Sequence, residues 1–295
     1  MIKTASIFVA LLAATATTAS AAPQAKPVPA KAAVTLPVKA APPTASDWRT
    51  PSPDDVLVID TNKGRIIVEM VPESAPLYTA RMRELALEHF FDGLTFFRVI
   101  EGFMAQTGDP DNRGTGGSPK PDVRGEFTFR RGPDTPFALA ADQSVAEIGF
   151  IKSLPVMTQS MMLAPLTRDG KISGWGLYCP GVAGAARGED ENSANSQFFL
   201  MRDGYPSLEK RYAAWGRVIV GQDVVRAIKV GEPVAEPQDH MTQLRVLSDI
   251  PEAQRPKVRV IDPAGAWFKA EIARVRAARG ADFTACDVTL PTEVK

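Results

Sequence analysis

The stretch TFFRVIEGFMAQTGD, residues 95–109, holds the side chains with the most chemistry to offer. β-Branched and aromatic residues from Thr95 to Ile100 read as strand, and Gly108-Asp109 reads as a turn. Arg98 and Gln106 interrupt this apolar ribbon with a guanidinium and an amide. On a half-buried sheet the two would face water. Lining a pocket, they would supply fixed hydrogen-bond donors beside a hydrophobic wall. Simple pleating sets Arg98, Met104 and Gln106 on one face if the register survives Gly102, and Phe103 joins them through a bulge there.

Other chemistries find little support. The chain has 2 His, His89 and His240, and 2 Cys, none at metal-ligand spacing. There is no G-x-S-x-G elbow and no dinucleotide fingerprint. GTGGSPKP lacks the G-K-[ST] of a phosphate loop, and a calcium loop starting at Asp109 would need Glu where Lys120 stands. No metal or cofactor is expected. Lys+Arg and Asp+Glu are both 34, so the formal net charge is zero, which argues against a nucleic-acid partner. What remains is non-covalent chemistry by donors over an apolar pocket.

These residues need elements to hold them. Residues 1–21 read as a secretory signal peptide: Lys3, a short apolar run, then Ala19-Ser20-Ala21. The run is shorter than the about 18 apolar residues of a membrane span. The mature chain is therefore expected to be exported, with the periplasm as destination, and soluble with no transmembrane segment. Residues 22–53, rich in Ala and Pro, read as a disordered tether.

In the body, DVLVIDT and RIIVEMV flank Asn62-Lys63-Gly64 as a hairpin. Pro76 opens a helix with Tyr78, Met82, Leu85 and His89 at helical spacing. Strands are read at NSQFFLM, YAAWGRVIVG and TQLRVLSDI, and a short helix at QDVVRAIKV. Turns follow one another closely, which favours a barrel or sandwich. Residues 128–184 read as an insertion, with a hairpin expected around TRDGKISG. Residues 251–295 read as an extension whose helix turns Phe268, Ile272 and Val275 to one side, expected to pack on the body. Cys179 and Cys286 either pair or lie separately buried.

Three ordered blocks then carry a resemblance. FFRVIEGFMAQTGD resembles the cyclophilin signature F-H-R-[IV]-[IV]-x-G-F-M-x-Q-x-G-D, with Phe97 where histidine is usual. ARGEDENSANSQFFLM and YAAWGRVIVGQDVVRAI are similar to the family's second and third blocks. The resemblance covers about residues 54–250, except the middle of the insertion. It implies a mainly β fold, an eight-stranded antiparallel β-barrel capped by two helices. It also implies peptidyl-prolyl cis/trans isomerase activity on proline-containing polypeptides, here exported proteins that are still folding.

Residue by residue, the resemblance makes Arg98 the catalytic arginine and Gln106 the amide that holds the substrate backbone. Phe103, Met104, Phe199 and Leu208 match the wall of the proline pocket. Ala186 and Arg187 match the segment that pairs with the residues before proline, Gln197 a second polar wall residue, and Tyr212 a further binding position. Ser207 stands where many members place an aromatic at the pocket mouth, leaving that wall open or filled by Tyr205. Ala185 replaces a methionine. The acidic run Glu189-Asp190-Glu191 reads as a solvated loop or as a preference for basic peptides. A second function stays open: the barrel kept as a peptide-binding module or chaperone with weak turnover.

Overall fold

The computed structural model describes residues 41–295. The signal peptide and the tether up to residue 40 lie outside the described residues. The segment after them is not all tether, as expected to residue 53. Strand β1, Trp48–Arg49, pairs antiparallel with Val260 and Ile261. Two side chains fix it there. Trp48 packs among apolar residues, and Arg49 forms a bidentate pair with Glu69 at 2.5 and 2.7 Å.

Strands β2 (Val56–Thr61) and β3 (Gly64–Met70) form the expected hairpin. Helix α1, Pro76–Leu87, follows. Proline tolerates the first helical position because that N–H has no partner within the helix. The next orphan donors, Leu77 and Tyr78, both donate to the Glu126 carboxylate at 3.0 Å. Tyr78, Met82 and Leu85 face the core. His89 does not continue the stripe: it lies past the helix at φ +57, with an exposed side chain.

Strands β4 (Arg98–Ile100) and β5 (Met104–Thr107) come next. Five strands of the insertion follow: β6 (Phe129–Arg131), β7 (Ala138–Asp142), β8 (Ala146–Ile151), β9 (Leu154–Gln159) and β10 (Ile172–Gly176). The chain then gives β11 (Val182–Ala185), β12 (Phe198–Met201), β13 (Ala214–Val220), helix α2 (Gln222–Ala227) and β14 (Met241–Val246). The extension supplies β15 (Val258–Ile261), helix α3 (Ala266–Arg279) and β16 (Thr292–Val294).

Eight of these strands form one antiparallel sheet in the order β14-β2-β3-β13-β11-β12-β5-β4. Bridges Thr95↔His240 and Val99↔Gly231 bring its last strand back to the segment leading into β14, closing the barrel. Alternate residues fill its interior, among them Phe198, Leu200 and Trp215. Helix α1 and Val225 and Ile228 at α2 pack on the same core.

The insertion is a second sheet, ordered β6-β10-β9-β8-β7. The hairpin expected around residues 167–174 has a wider connection: β9 and β10 pair antiparallel across residues 160–171, with Asp169-Gly170 just before β10, and β10 also pairs with β6. Gly174, lacking a Cβ, lets Phe129 and Thr158 close on both flanks. This sheet, α3 and the outer face of the barrel enclose a second core, with Phe150 and Phe268 edge to face at 5.1 Å. Phe268, Ile272 and Val275 are its helical contribution, so the extension packs on the insertion. Cys179 and Cys286 form a disulfide, S–S 2.04 Å, which ties the extension to the connection between β10 and the barrel strand β11.

Candidate active site

Strands β4 and β5 form a hairpin with Arg98 opposite Gln106 and Ile100 opposite Met104. The N–H of Phe103 donates to the Ile100 carbonyl at 3.1 Å, and Gly102 adopts φ +68 in the turn between them. That conformation strains any residue with a Cβ, which is why glycine stands there. The register has no shift, so the expected bulge is absent. Arg98, Ile100, Met104 and Gln106 share the outer face by alternation, and Phe103 joins them from the turn.

The neighbouring strand extends the same face. Phe199 lies opposite Gln106 and Met201 opposite Met104. Across from Phe199 is Gly184, and a Cβ there would stand 2.2 Å from Phe199 Cζ. The glycine lets the ring lie over the strand. Met104, Phe199, Leu208 and Ala186 are buried, and Phe103 and Tyr212 pack on them half-buried. Tyr212 meets Phe199 edge to face at 5.9 Å. Phe103 packs against Tyr205 with centroids 4.4 Å apart and ring planes tilted by 44°, so Tyr205 fills the wall that Ser207 leaves open.

A row of amides runs along this apolar surface. Arg98 Nη1 donates to Gln106 Oε1 at 3.2 Å, and Gln106 Nε2 donates to Gln197 Oε1 at 2.9 Å. Gln197 Nε2 in turn donates to the Gly116 carbonyl at 2.7 Å. Each amide is thereby fixed in one orientation. Beside the row is a groove of about 120 Å³ lined by Gln106, Gly116, Ala186, Arg187 and Gln197. The Ala186 N–H donates to the Gln197 carbonyl at 2.9 Å. Among the described residues the N–H and carbonyl of Arg187 have no protein partner, leaving a backbone edge open to an added strand. The Arg187 guanidinium lies 4.8 Å over Tyr212 and donates to the Arg211 carbonyl. All ten residues singled out from the sequence thus meet on one face.

One other residue there escaped sequence reasoning: Glu232, whose Oε1 accepts from Arg98 Nε and Nη2, each at 2.6 Å. Reciprocal hydrogen bonds of 2.8 Å between Val99 and Gly231 hold that loop beside β4. Nothing near Arg98 in the sequence points to a carboxylate so distant along the chain. Behind the apolar wall, Tyr178 stacks on Phe199 at 5.9 Å with its hydroxyl buried and unpartnered. Burial pushes that phenol well above its ordinary pKa. Burial also raises Glu209, next to Leu208, against a hydrogen bond from Trp175 that lowers it.

A closed antiparallel barrel thus carries an arginine, an amide row, an apolar slot and an open backbone edge together on its outer face. The sequence profile described as "Cyclophilin type peptidyl-prolyl cis-trans isomerase/CLD" matches residues 56–248. The chain belongs to this family of peptidyl-prolyl cis/trans isomerases. A probable peptidyl-prolyl cis-trans isomerase of Brucella suis is 31% identical over 190 residues, 61% of this chain and 74% of that protein. A peptidyl-prolyl isomerase CWC27 of Mycosarcoma maydis is 30% identical over 190 residues, 64% of this chain but 30% of its own length. The crystal structure of cyclophilin AquaCyp293 from Hirschia baltica superposes with TM-score 0.77 at 34% identity, covering 84% of this chain and 93% of that one. That overlap extends beyond the family's barrel.

Proposed function

We propose that this isomerase acts on proline-containing segments of exported proteins that are still folding, with Arg98 as the catalytic group. Turning a prolyl peptide bond means losing amide resonance, a barrier of about 18–20 kcal/mol. At the twisted geometry the prolyl nitrogen becomes pyramidal and regains a lone pair. A fixed guanidinium beside it binds the twisted form more strongly than either planar form, and that difference is the catalysis. Phe103, Met104, Phe199 and Leu208 hold the ring. Gln106 takes the backbone, Arg187 pairs with the residues before proline, and the other side of the bond turns.

The observation that carries this reading is the hydrogen-bonded row Arg98–Gln106–Gln197 along the edge of the apolar slot. A proline-isomerisation assay on the mature chain tests it. Arg98→Ala is expected to lose about 10²–10³-fold, as when one transition-state donor is removed. Variant and wild type turning over alike would remove Arg98 from the mechanism.

One observation favours a peptide-binding module with weak turnover. Glu232 already occupies two nitrogens of Arg98. Wild type no faster than buffer, with aggregation of an unfolded client still suppressed, would select that reading. Export to the periplasm is supported by the leader at 1–21 and by the disulfide, a bond at home in oxidising compartments. Its test is fractionation of the full-length chain, with the mature form expected among periplasmic proteins.

A further inference from the structure

Away from the barrel groove, a cavity of about 380 Å³ opens where the barrel, the insertion and the extension meet. Its volume is in the range of small-molecule sites. Arg217 on β13 lines it, and among the described residues its guanidinium donates only to the Ser153 carbonyl, at 3.2 Å. Arg226 lines it from α2, its guanidinium donating among the described residues only to the Arg202 carbonyl, at 3.2 Å. Among the described residues neither arginine has a carboxylate partner. The nearby Glu69 is committed to Arg49 and to the Ser153 N–H.

Two more polar groups wait there. Ser153 is fully buried and, among the described residues, its hydroxyl has no partner. Gln222 donates to the Met201 carbonyl at 2.9 Å, while its Oε1 is buried with no donor. Orphaned buried polar atoms are uncommon because each forfeits its hydration. Burial pulls Arg217 down to about 10, so the guanidinium stays charged at neutral pH, and Glu69 opposite it on β3 is already paired with Arg49. The remaining wall is apolar: Val218, Val288 and Leu290.

We propose that this cavity binds the carboxylate end of a peptide, an acylated amino acid with an apolar side chain. The carboxylate meets Arg217 and Arg226 and accepts from Ser153. The peptide N–H, one residue back, donates to Gln222 Oε1. The side chain lies on Val218 and Leu290. Two guanidiniums, one hydroxyl donor and one lone acceptor match that group in number and kind, whereas inorganic phosphate has no use for the acceptor or the apolar wall.

Calorimetric titration of the mature protein with N-acetyl-leucine, N-acetyl-leucinamide and inorganic phosphate tests this. N-acetyl-leucine is expected to bind one per chain. The amide should bind at least about tenfold more weakly, the scale of one lost charge-assisted hydrogen bond. Arg217→Met and Arg226→Met should each weaken the acid by a similar factor. Arg226 is exposed on α2, so its variant should keep the wild-type Tm and isomerase rate and stands alone if Arg217→Met does not fold. No binding of the acid, equal binding of acid and amide, phosphate binding as tightly, or an unaffected Arg226→Met would each overturn the proposal. So would loss of binding in Arg98→Ala, which would place the ligand in the barrel groove.

Discussion

Arg98 is held from both sides, by Glu232 on Nε and Nη2 and by Gln106 on Nη1. The ion pair is about half exposed, side chains 36% and 56% accessible, so it contributes little to stability. Its effect is on direction. A guanidinium on a long flexible stem must be aimed to act, and a carboxylate opposite its inner edge leaves the outer edge for substrate. Glu232→Ala is therefore expected to lower kcat about tenfold, or about 1.4 kcal/mol of barrier, with KM little changed. Glu232→Gln, which can still accept, should recover part of the loss, and Tm should be unchanged in both. A higher kcat in Glu232→Ala would mean that the carboxylate restrains Arg98 instead. At this scale the sequence was informative where the residues are close along the chain. Arg98, Met104 and Gln106 fell on one face because pleating has a fixed period. Glu232 was invisible because only the closed barrel brings it there.

Elements carry the site through a loop as well as through strands. Asp109 ends the quoted stretch and is fully buried, accepting the N–H groups of Asp111, Arg113, Gly114 and Thr115. One carboxylate thus folds the glycine-rich segment whose Gly114 and Gly116 wall the small groove. Burial works to raise its pKa, but the backbone donors outweigh burial and hold it below the ordinary 3.8. A carboxyl depressed in the folded state contributes stability that is complete above 3.8 and lost as pH falls through its folded value. Asp109→Asn is expected to cost about 1.5–3 kcal/mol at pH 7, the scale of hydrogen bonds to a charged group. Denaturant titrations should show that gap narrowing as pH drops below 3.8. A gap independent of pH would show that the charge on Asp109 is irrelevant. The loop was legible as glycine and proline punctuation, and the hairpin at 62–63 and helix α1 as local signals. The insertion was not. Its β10 pairs with the preceding β9 but also with the distant β6, a pairing that no local pattern encodes.

The whole molecule depends on joins between the barrel and its additions. Glu69, 1% exposed on β3, meets Arg49 from the N-terminal segment and the Ser153 N–H from the insertion. Removing one partner strands a buried charge, so Arg49→Ala is expected to cost about 3–5 kcal/mol. A chemical-denaturation loss under about 1 kcal/mol would instead place the pair among surface bridges. The disulfide is the second join. The sequence left Cys179 and Cys286 as pair or bystanders, since spacing carries no information on whether distant thiols meet. Their separation of 107 residues makes the closed loop long, and in the chain-entropy account such a loop contributes about 4.7 kcal/mol by restricting the unfolded chain. The extension it anchors buries Phe268, Ile272 and Val275 against the insertion, so packing alone retains part of the attachment. Cys286→Ser should then lower the unfolding free energy by about 2–5 kcal/mol while the folded enzyme keeps its rate, because the arginine, amides and apolar slot all sit on the barrel. Reductant should reproduce the loss in wild type and add nothing to the variant. Wild type and variant unfolding together under oxidising conditions would show that packing, and not the bond, holds the extension.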